Sequence, residues 1–321
     1  MMSIRNSVLI IALLFASLAV AVAADVPTLL AEGRVDDAIQ SLQGRLTAAP
    51  NDAESYNLMC RAYFSLGNWD RGIPYCEKSV KLAPDNSRYH LWLGRIYGEK
   101  ADRAGWFAAA TLAGKVRDQF EESVKLNPDN VDARTDLAEF YLEAPGMIGG
   151  GRDKAETQAN ALERLDPGKA HWVRGRIAEK NKELATAEKE YRVAVDVSHG
   201  SALSWLNLAL FFRNHNRLDE MEDAIRHASA TQTGHSEVLV DAAETLNRTG
   251  RNIPTAIDLL RRYLSSSSTV EAAPAFKAHY LLGTLLEKQG DRQAAAQEYR
   301  DALALGRSYS AAQDALNRLN R

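Results

Sequence analysis

One short pattern of apolar residues recurs down nearly the whole chain, and it restricts the fold to stacked pairs of helices. It is plainest in Tyr56-Asn57-Leu58-Met59-Cys60-Arg61-Ala62-Tyr63, followed by a turn at Gly67 and a second apolar helix ending at Pro84. It returns at His90, Leu93, Gly94 and Tyr97 with Pro128, and at Leu137, Ala138 and Tyr141 with Pro167. It returns again at Trp205, Leu208, Ala209 and Phe212, and at His279, Leu282, Gly283 and Leu286 with Gly290, Ala295 and Tyr299. A period in the mid-thirties with this punctuation means helical hairpins stacked in a row. Each hairpin buries its apolar face only on its neighbours, so the 321 residues predict one elongated array rather than two globular domains. Strand-like alternation is absent, and the expected fold is all-α.

The punctuation has physical causes. In Pro84-Asp85-Asn86 and Pro128-Asp129-Asn130, proline cannot continue one helix, and Asp or Asn accepts hydrogen bonds from the free N–H groups that open the next. Small residues (Gly94, Ala138, Ala209, Gly283) mark the closest approach within a hairpin, and Tyr63, Tyr97, Tyr141 and Phe212 fill the wider gaps between hairpins. Units are expected at about 25–50, 53–84, 87–128, 131–167, 168–199, 202–234, 236–269 and 276–307. The amphipathic stretch 309–319 then covers the last apolar face, with Ala312, Leu316 and Leu319 turned inward. Ser265 to Ser268 reads as a widened loop between repeats.

These residues resemble the tetratricopeptide repeat over nearly all of the chain beyond its first residues. The resemblance implies a right-handed α-solenoid of about eight helix-turn-helix units with a C-terminal capping helix, acting by holding partners. Two units depart from the pattern: 168–199, with Ala178 and His199 where an aromatic and proline are usual, and 236–269, irregular around Gly250-Arg251-Asn252.

The first residues read as a leader. Arg5 supplies a positive start, Val8 to Val20 is apolar except for Ser17, and Ala21-Val22-Ala23 is a cleavage pattern. The run is shorter than the roughly 20 residues of a spanning helix, which disfavours an uncleaved anchor. Residues 1–23 are thus expected to be a signal peptide and the array 24–321 to be exported, most simply to a bacterial periplasm, with no stable membrane span. Together, leader and array are similar to exported bacterial tetratricopeptide proteins. Losing Arg5 takes the formal charge from −3 to −4. That balance, without a run of Lys and Arg, gives no sign of nucleic acid as a partner. Cys60 and Cys76 lie on the two helices of one hairpin, and Gly72 lets those helices approach; they are either a disulfide or two buried thiols.

Two consecutive units carry insertions between their helices: 87–128 spans 42 residues and 131–167 spans 37, against 32 for 53–84. Turns of neighbouring repeats share an edge, so the insertions are expected side by side, and insertions on one face often mark a binding face. The first, within 98–115, contains Trp106 and Phe107 and is alanine-rich, which predicts extra helix. Its aromatics either anchor a partner or pack back on the repeats. The second, Ala144 to Lys154, carries Met147 and Ile148 among glycines. Gly146 and Gly151 have phosphate-loop spacing, but Arg152-Asp153 replaces the required Lys and Ser/Thr.

The resemblance places ligand contacts on the first helices of the units. There Asn57, Arg61, Arg88 and Arg95 form a basic segment, followed by acidic Asp132, Asp136, Glu139 and Glu143. Ion pairing between repeats, such as Arg95 with Glu139, is the plain alternative. The family's clamp for a peptide carboxylate is not matched, because Trp92 and Asp132 stand where Lys or Asn is needed. Catalytic constellations are lacking: seven scattered histidines, no His pair at metal-binding spacing, no G-x-S-x-G, and no carboxylate in an apolar context. The expectation is a non-enzymatic scaffold or adaptor without a cofactor, binding a protein or peptide of the cell envelope. The alternative is a small-molecule or glycan binder, or an accessory subunit of an envelope enzyme.

Overall fold

The computed structural model describes residues 25–231 and 234–319. The segment 1–23, expected to be a leader, lies outside the described residues. Eight antiparallel hairpins follow one another: α1 (Val26–Ala31) with α2 (Val35–Ala48), α3 (Ala53–Ser65) with α4 (Trp69–Leu82), α5 (Ser87–Ala101) with α6 (Trp106–Leu126), and α7 (Val131–Glu143) with α8 (Arg152–Leu162). Next come α9 (Pro167–Lys180) with α10 (Leu184–Val197), α11 (Ala202–Asn214) with α12 (Leu218–Ala230), α13 (Glu237–Thr249) with α14 (Ile253–Ser265), and α15 (Ala275–Lys288) with α16 (Arg292–Leu305). A last helix, α17 (Ser310–Leu319), lies on α16. No strand occurs among the described residues.

Local chemistry sets the helix ends. Asn86 and Asn130 cap α5 and α7, accepting from the N–H groups of Arg88 and Ala133 at 3.1 Å each. Pro167 does not end α8, which stops at Leu162. It opens α9 instead, where a missing N–H costs nothing, and Asp166 caps that helix. The large aromatics fill the gaps between hairpins: Tyr63, Tyr97, Tyr141 and Phe212 are all buried. Tyrosine hydroxyls in the core are also satisfied, Tyr141 donating to Glu121 and Tyr299 to Glu287, both at 2.8 Å.

Cys60 and Cys76 are joined in a disulfide, with Cα atoms 5.1 Å apart. Gly72 explains the approach of α3 and α4. A Cβ there would lie 2.5 Å from Ile96 Cδ1 and 3.1 Å from Tyr63 Cβ.

Successive first helices touch one another (α3 with α5, α7 with α9, α11 with α13, α13 with α15), so they form the inner wall of the curve. The curve closes on itself. Val26, Leu29, Val35, Leu58 and Leu66 from the first two hairpins share one buried cluster with Phe276, Ala302 and Ala312 from the last hairpin and cap. Asp36 accepts from the backbone N–H of Arg307 at 2.8 Å and from its Nε at 3.0 Å. Arg61 makes a two-point ion pair with Glu271, its Nε lying 2.9 Å from Oε1. The sequence implies an open array, and this end-to-end seam is an addition to it.

Candidate functional site

The two insertions meet at one edge of the ring. The first is taken up by α6, which at 21 residues overhangs its neighbours. The second folds into a 3₁₀ turn at Gly146–Ile148. Arg117 of α6 donates to the Ile148 carbonyl at 3.0 Å and ties the two together. Between them runs a groove of about 420 Å³, walled by Trp106, Ala109, Ala113, Val116, Phe140, Pro145, Met147 and Ile148, with Asp102 and Glu143 as its charged side chains. Phe107 stands beside it, its ring meeting that of Trp106 edge to face at 5.2 Å. Trp106, Phe107 and Met147 are 73%, 83% and 86% exposed, so their side chains are not buried against the repeats. Ile148 is half-buried.

The inner wall tells a different story. The basic and acidic residues expected there are all taken up in ion pairs, but only Arg95, with Asp132 and Asp136, pairs within that set. Arg88 meets Glu54 at 2.7 Å, and Arg61 meets Glu271 across the seam. Arg95 binds Asp136 at 2.6 Å and Asp132 at 3.6 Å. The pairing of Arg95 with Glu139 does not occur: Glu139 pairs with Arg176 at 3.3 Å, from the following hairpin. Arg176 and Lys180 also hold Glu143, at 3.1 and 2.6 Å. Trp92 lies under both Arg61 and Arg95, whose guanidinium carbons are 5.2 and 5.1 Å from its ring centre. Next to it, a hollow of about 950 Å³ is lined by Arg88, Trp92, Arg95, Asn86, Asn127 and Asn130 among others. Glu271, Glu54 and Arg176 were not singled out from the sequence. The signal for Glu271 was the widened loop after Ser265.

Carboxylates do sit in desolvating surroundings, contrary to the reading of the sequence. Burial raises the pKa of Asp136, with Arg95 opposing it, and raises that of Glu139, with Arg176 opposing it. One Glu139 oxygen is buried without a hydrogen bond. Asp241 is exposed at its surface, yet surrounding protein partly desolvates it and pushes it up from 3.8 to about 6, helped by the like charges of Glu244 and Glu237. Well below its ordinary 3.8, at about pH 3, this carboxyl is neutral in folded and unfolded chains alike. As pH rises from there to about 6 the unfolded chain ionises first, so stability is lost and the cost persists above 6. Asp241→Asn is therefore expected to stabilise the protein at pH 7.5 by about 1 kcal/mol, the full shift being discounted because the carboxylate reaches water. At about pH 2.5 it should change almost nothing. Equal effects at both pH values in thermal melts would refute this origin.

Asn57, expected at a partner contact, is fully buried, and neither its amide oxygen nor its nitrogen has a hydrogen-bond partner. It lies six residues before Tyr63, as Leu91 lies before Tyr97 and Leu206 before Phe212, and both leucines are buried. A polar amide thus occupies an apolar slot. Asn57→Leu keeps the branched shape and is expected to add about 1–2 kcal/mol of stability in a denaturant titration. A loss of that size would mean that the amide has a partner in solution.

Two of the histidines form matching pairs with glutamates inside their hairpins. His171 Nδ1 lies 2.7 Å from Glu190, and His279 Nδ1 lies 2.7 Å from Glu298, the same 19-residue step across two hairpins. Asp301 beside the second pair completes a group whose ligand atoms lie within 4.8 Å of one another. Recurrence of the pair at equivalent places marks it as part of the repeat.

Comparison with known proteins bears on the fold. Among solved structures, yeast Tom70 superposes with a TM-score of 0.53 at 14% identity, covering 89% of this chain and 58% of that one. A thermophilic tetratricopeptide protein of Thermus thermophilus gives a TM-score of 0.44 at 17% identity, covering 67% and 92%. A stretch of 208 residues is 22% identical to human Protein O-mannosyl-transferase TMTC3, which is 62% of this chain and 22% of that protein. The chain thus spans about a fifth of the length of this curated relative. No helix among the described residues is long and apolar enough to cross a membrane. Two family models described as tetratricopeptide repeat match residues 29–96, and 149–202 with 241–312, well over half of the chain. With eight stacked hairpins in the structure and these matches along the sequence, the chain belongs to the tetratricopeptide-repeat family.

Proposed function

We propose that this protein is a non-catalytic scaffold that holds an apolar segment of a partner protein on its inserted edge. The observation that carries the reading is the exposure of Trp106, Phe107 and Met147 around one apolar groove. Clustered exposed apolar side chains beside a concavity are the usual mark of a protein interface, and buried aromatics supply most of the affinity there. The inner wall is the weaker candidate, because its charges already satisfy one another. Exchanging Trp106 and Met147 for alanine together is expected to weaken partner binding at least tenfold by titration calorimetry. Both side chains lie in water, so the melting temperature should hardly move. Unchanged affinity would sink the reading.

The setting we propose is the cell envelope after export, most simply a bacterial periplasm, with envelope assembly, secretion or a neighbouring multiprotein complex as the process served. The leader-like residues 1–23 support it, and so does the Cys60–Cys76 bridge, since disulfides form and persist chiefly in oxidising compartments. A second reading is a glycan or small-molecule binder, or an accessory subunit of an envelope enzyme. It is favoured by the hollow beside Trp92, where an aromatic ring stands among Arg and Asn side chains. A saturable thermal shift with cell-wall fragments, lost in Trp92→Ala, would support that reading over the first.

A further inference from the structure

The groove at the inserted edge is a slot laid along one helix. Trp106, Ala109, Ala110, Ala113 and Val116 line it from α6, and they fall on one helical stripe at i, i+3, i+4, i+7 and i+10. Ten residues of helix rise about 15 Å, which sets the length of the slot. Its far wall is the turn that carries Met147 and Ile148.

Neither wall offers a backbone edge. The carbonyls of the turn are already bonded. Pro145 accepts from the N–H groups of Ile148 at 2.9 Å and Gly150 at 3.2 Å, Gly146 from Gly149 at 3.0 Å, and Ile148 from Arg117 at 3.0 Å. On the other side, α6 spends its backbone groups within the helix beyond its first turn. An extended occupant would lay its own N–H and C=O groups on methyl groups and rings, and each bond left unmade there costs stability. A helix brings its backbone bonds with it. Its side chains at i, i+3 or i+4, and i+7 reach over about 10 Å, which fits within the slot. The three alanines of the α6 stripe let the two helix axes close to about 8 Å.

Charge adds a second constraint. Asp102 and Glu143 are the charged side chains of the groove, and both are exposed. Glu143 is held by Arg176 and Lys180. Asp102, which closes α5 four residues before Trp106, makes no ion pair among the described residues. An acidic rim favours a basic protein segment and repels an anionic lipid surface.

We infer that the occupant of this groove is an amphipathic helix of the partner, with large apolar side chains seated along α6 and a Lys or Arg beside Asp102. The inference rests on the inserted edge being the partner site.

The probe is a library of random peptides of about 16 residues displayed on phage, selected on the intact array and counter-selected on the Trp106→Ala, Met147→Ala form. Enriched peptides are expected to share large apolar residues at i, i+3 or i+4, and i+7, with a flanking Lys or Arg and no proline between. A synthetic copy should gain helical circular dichroism on binding. Asp102→Lys should weaken it at least tenfold, and Glu in place of the peptide's basic residue should restore most of that loss. Asp102→Asn, which keeps the shape at that helix end, should weaken it in the same direction. Peptides with alternating apolar residues, or peptides that bind without becoming helical, would overturn the helix while leaving the edge a protein-binding site. Indifference to both Asp102 variants would overturn the charge contact. No enrichment over the exchanged form would remove the proposed function as well. A dimer of the array in sedimentation, dissolved by the same exchange, would overturn the inference in favour of a second copy of this chain.

Discussion

Removing the Cys60–Cys76 bridge is expected to lower the stability of the second hairpin by about 3 kcal/mol, the loop-closure value for a loop of this size. The two cysteines are 16 positions apart, and both are fully buried between α3 and α4. Without the bridge, the unfolded hairpin regains the freedom the bridge denied it. In a solenoid such a loss stays largely local and spreads through nearest-neighbour contacts. Here it has a second consequence, because Arg61, next to Cys60, carries half of an ion pair at the seam. Amide exchange should therefore quicken in α3 and α4 first, and next in the loop around Glu271. The check is a guanidinium titration of the oxidised protein against a Cys60→Ala, Cys76→Ala double variant, with exchange mapped by mass spectrometry. A difference below 1 kcal/mol, or exchange that quickens equally everywhere, would contradict it.

Gly150→Ala is expected to break the inserted edge at a local cost of about 3 kcal/mol, the upper end for overpacking. A Cβ at this position would lie 1.8 Å from the Ala144 carbonyl oxygen, 2.6 Å from its carbon and 3.2 Å from the Tyr141 oxygen. All three are backbone atoms, so no side chain can move aside. The loop folds back over itself there: Gly150 N–H donates to Pro145 at 3.2 Å, and Gly151 N–H donates to Tyr141 at 2.8 Å. Opening that turn carries Met147 and Ile148 away from α6 and erases one wall of the groove. Partner binding should fall at least tenfold, with exchange quickened across 144–151 and the distant hairpins unchanged. Full binding with a visibly displaced loop would place the partner elsewhere.

The fold was legible because its signals are local. Capping by Asn86 and Asn130, the small residues at hairpin crossings and the tyrosines between hairpins all act within one unit and its neighbour. Pro167 misled for the opposite reason: proline suits the first turn of a helix as well as the end of one, and only Asp166 beside it decides between them. The inner-wall charges were found on the right face but in the wrong partnerships. Arg95 reaches Asp136 rather than Glu139, a difference of one helical turn that depends on how two hairpins are staggered. Ring closure was not legible at all. It depends on small rotations accumulated over eight hairpins, and its key residue, Glu271, lies in a loop without periodicity. At the inserted edge the sequence supplied the residues and their adjacency. Their exposure was a matter of how far α6 overhangs, which spacing alone does not fix.

The most direct test of the proposed function places a photoreactive benzoylphenylalanine at position 107, where Phe107 stands in water at the groove. Cross-linking is done in cells, followed by mass spectrometry of the products. The account predicts one dominant captured polypeptide whose cross-link vanishes when Trp106 and Met147 are replaced by alanine, and whose purified form binds the array with an affinity that depends on both residues. Products confined to this chain's own groove, on residues such as Met147 or Ile148, would contradict it and make the inserted edge part of the scaffold's own packing.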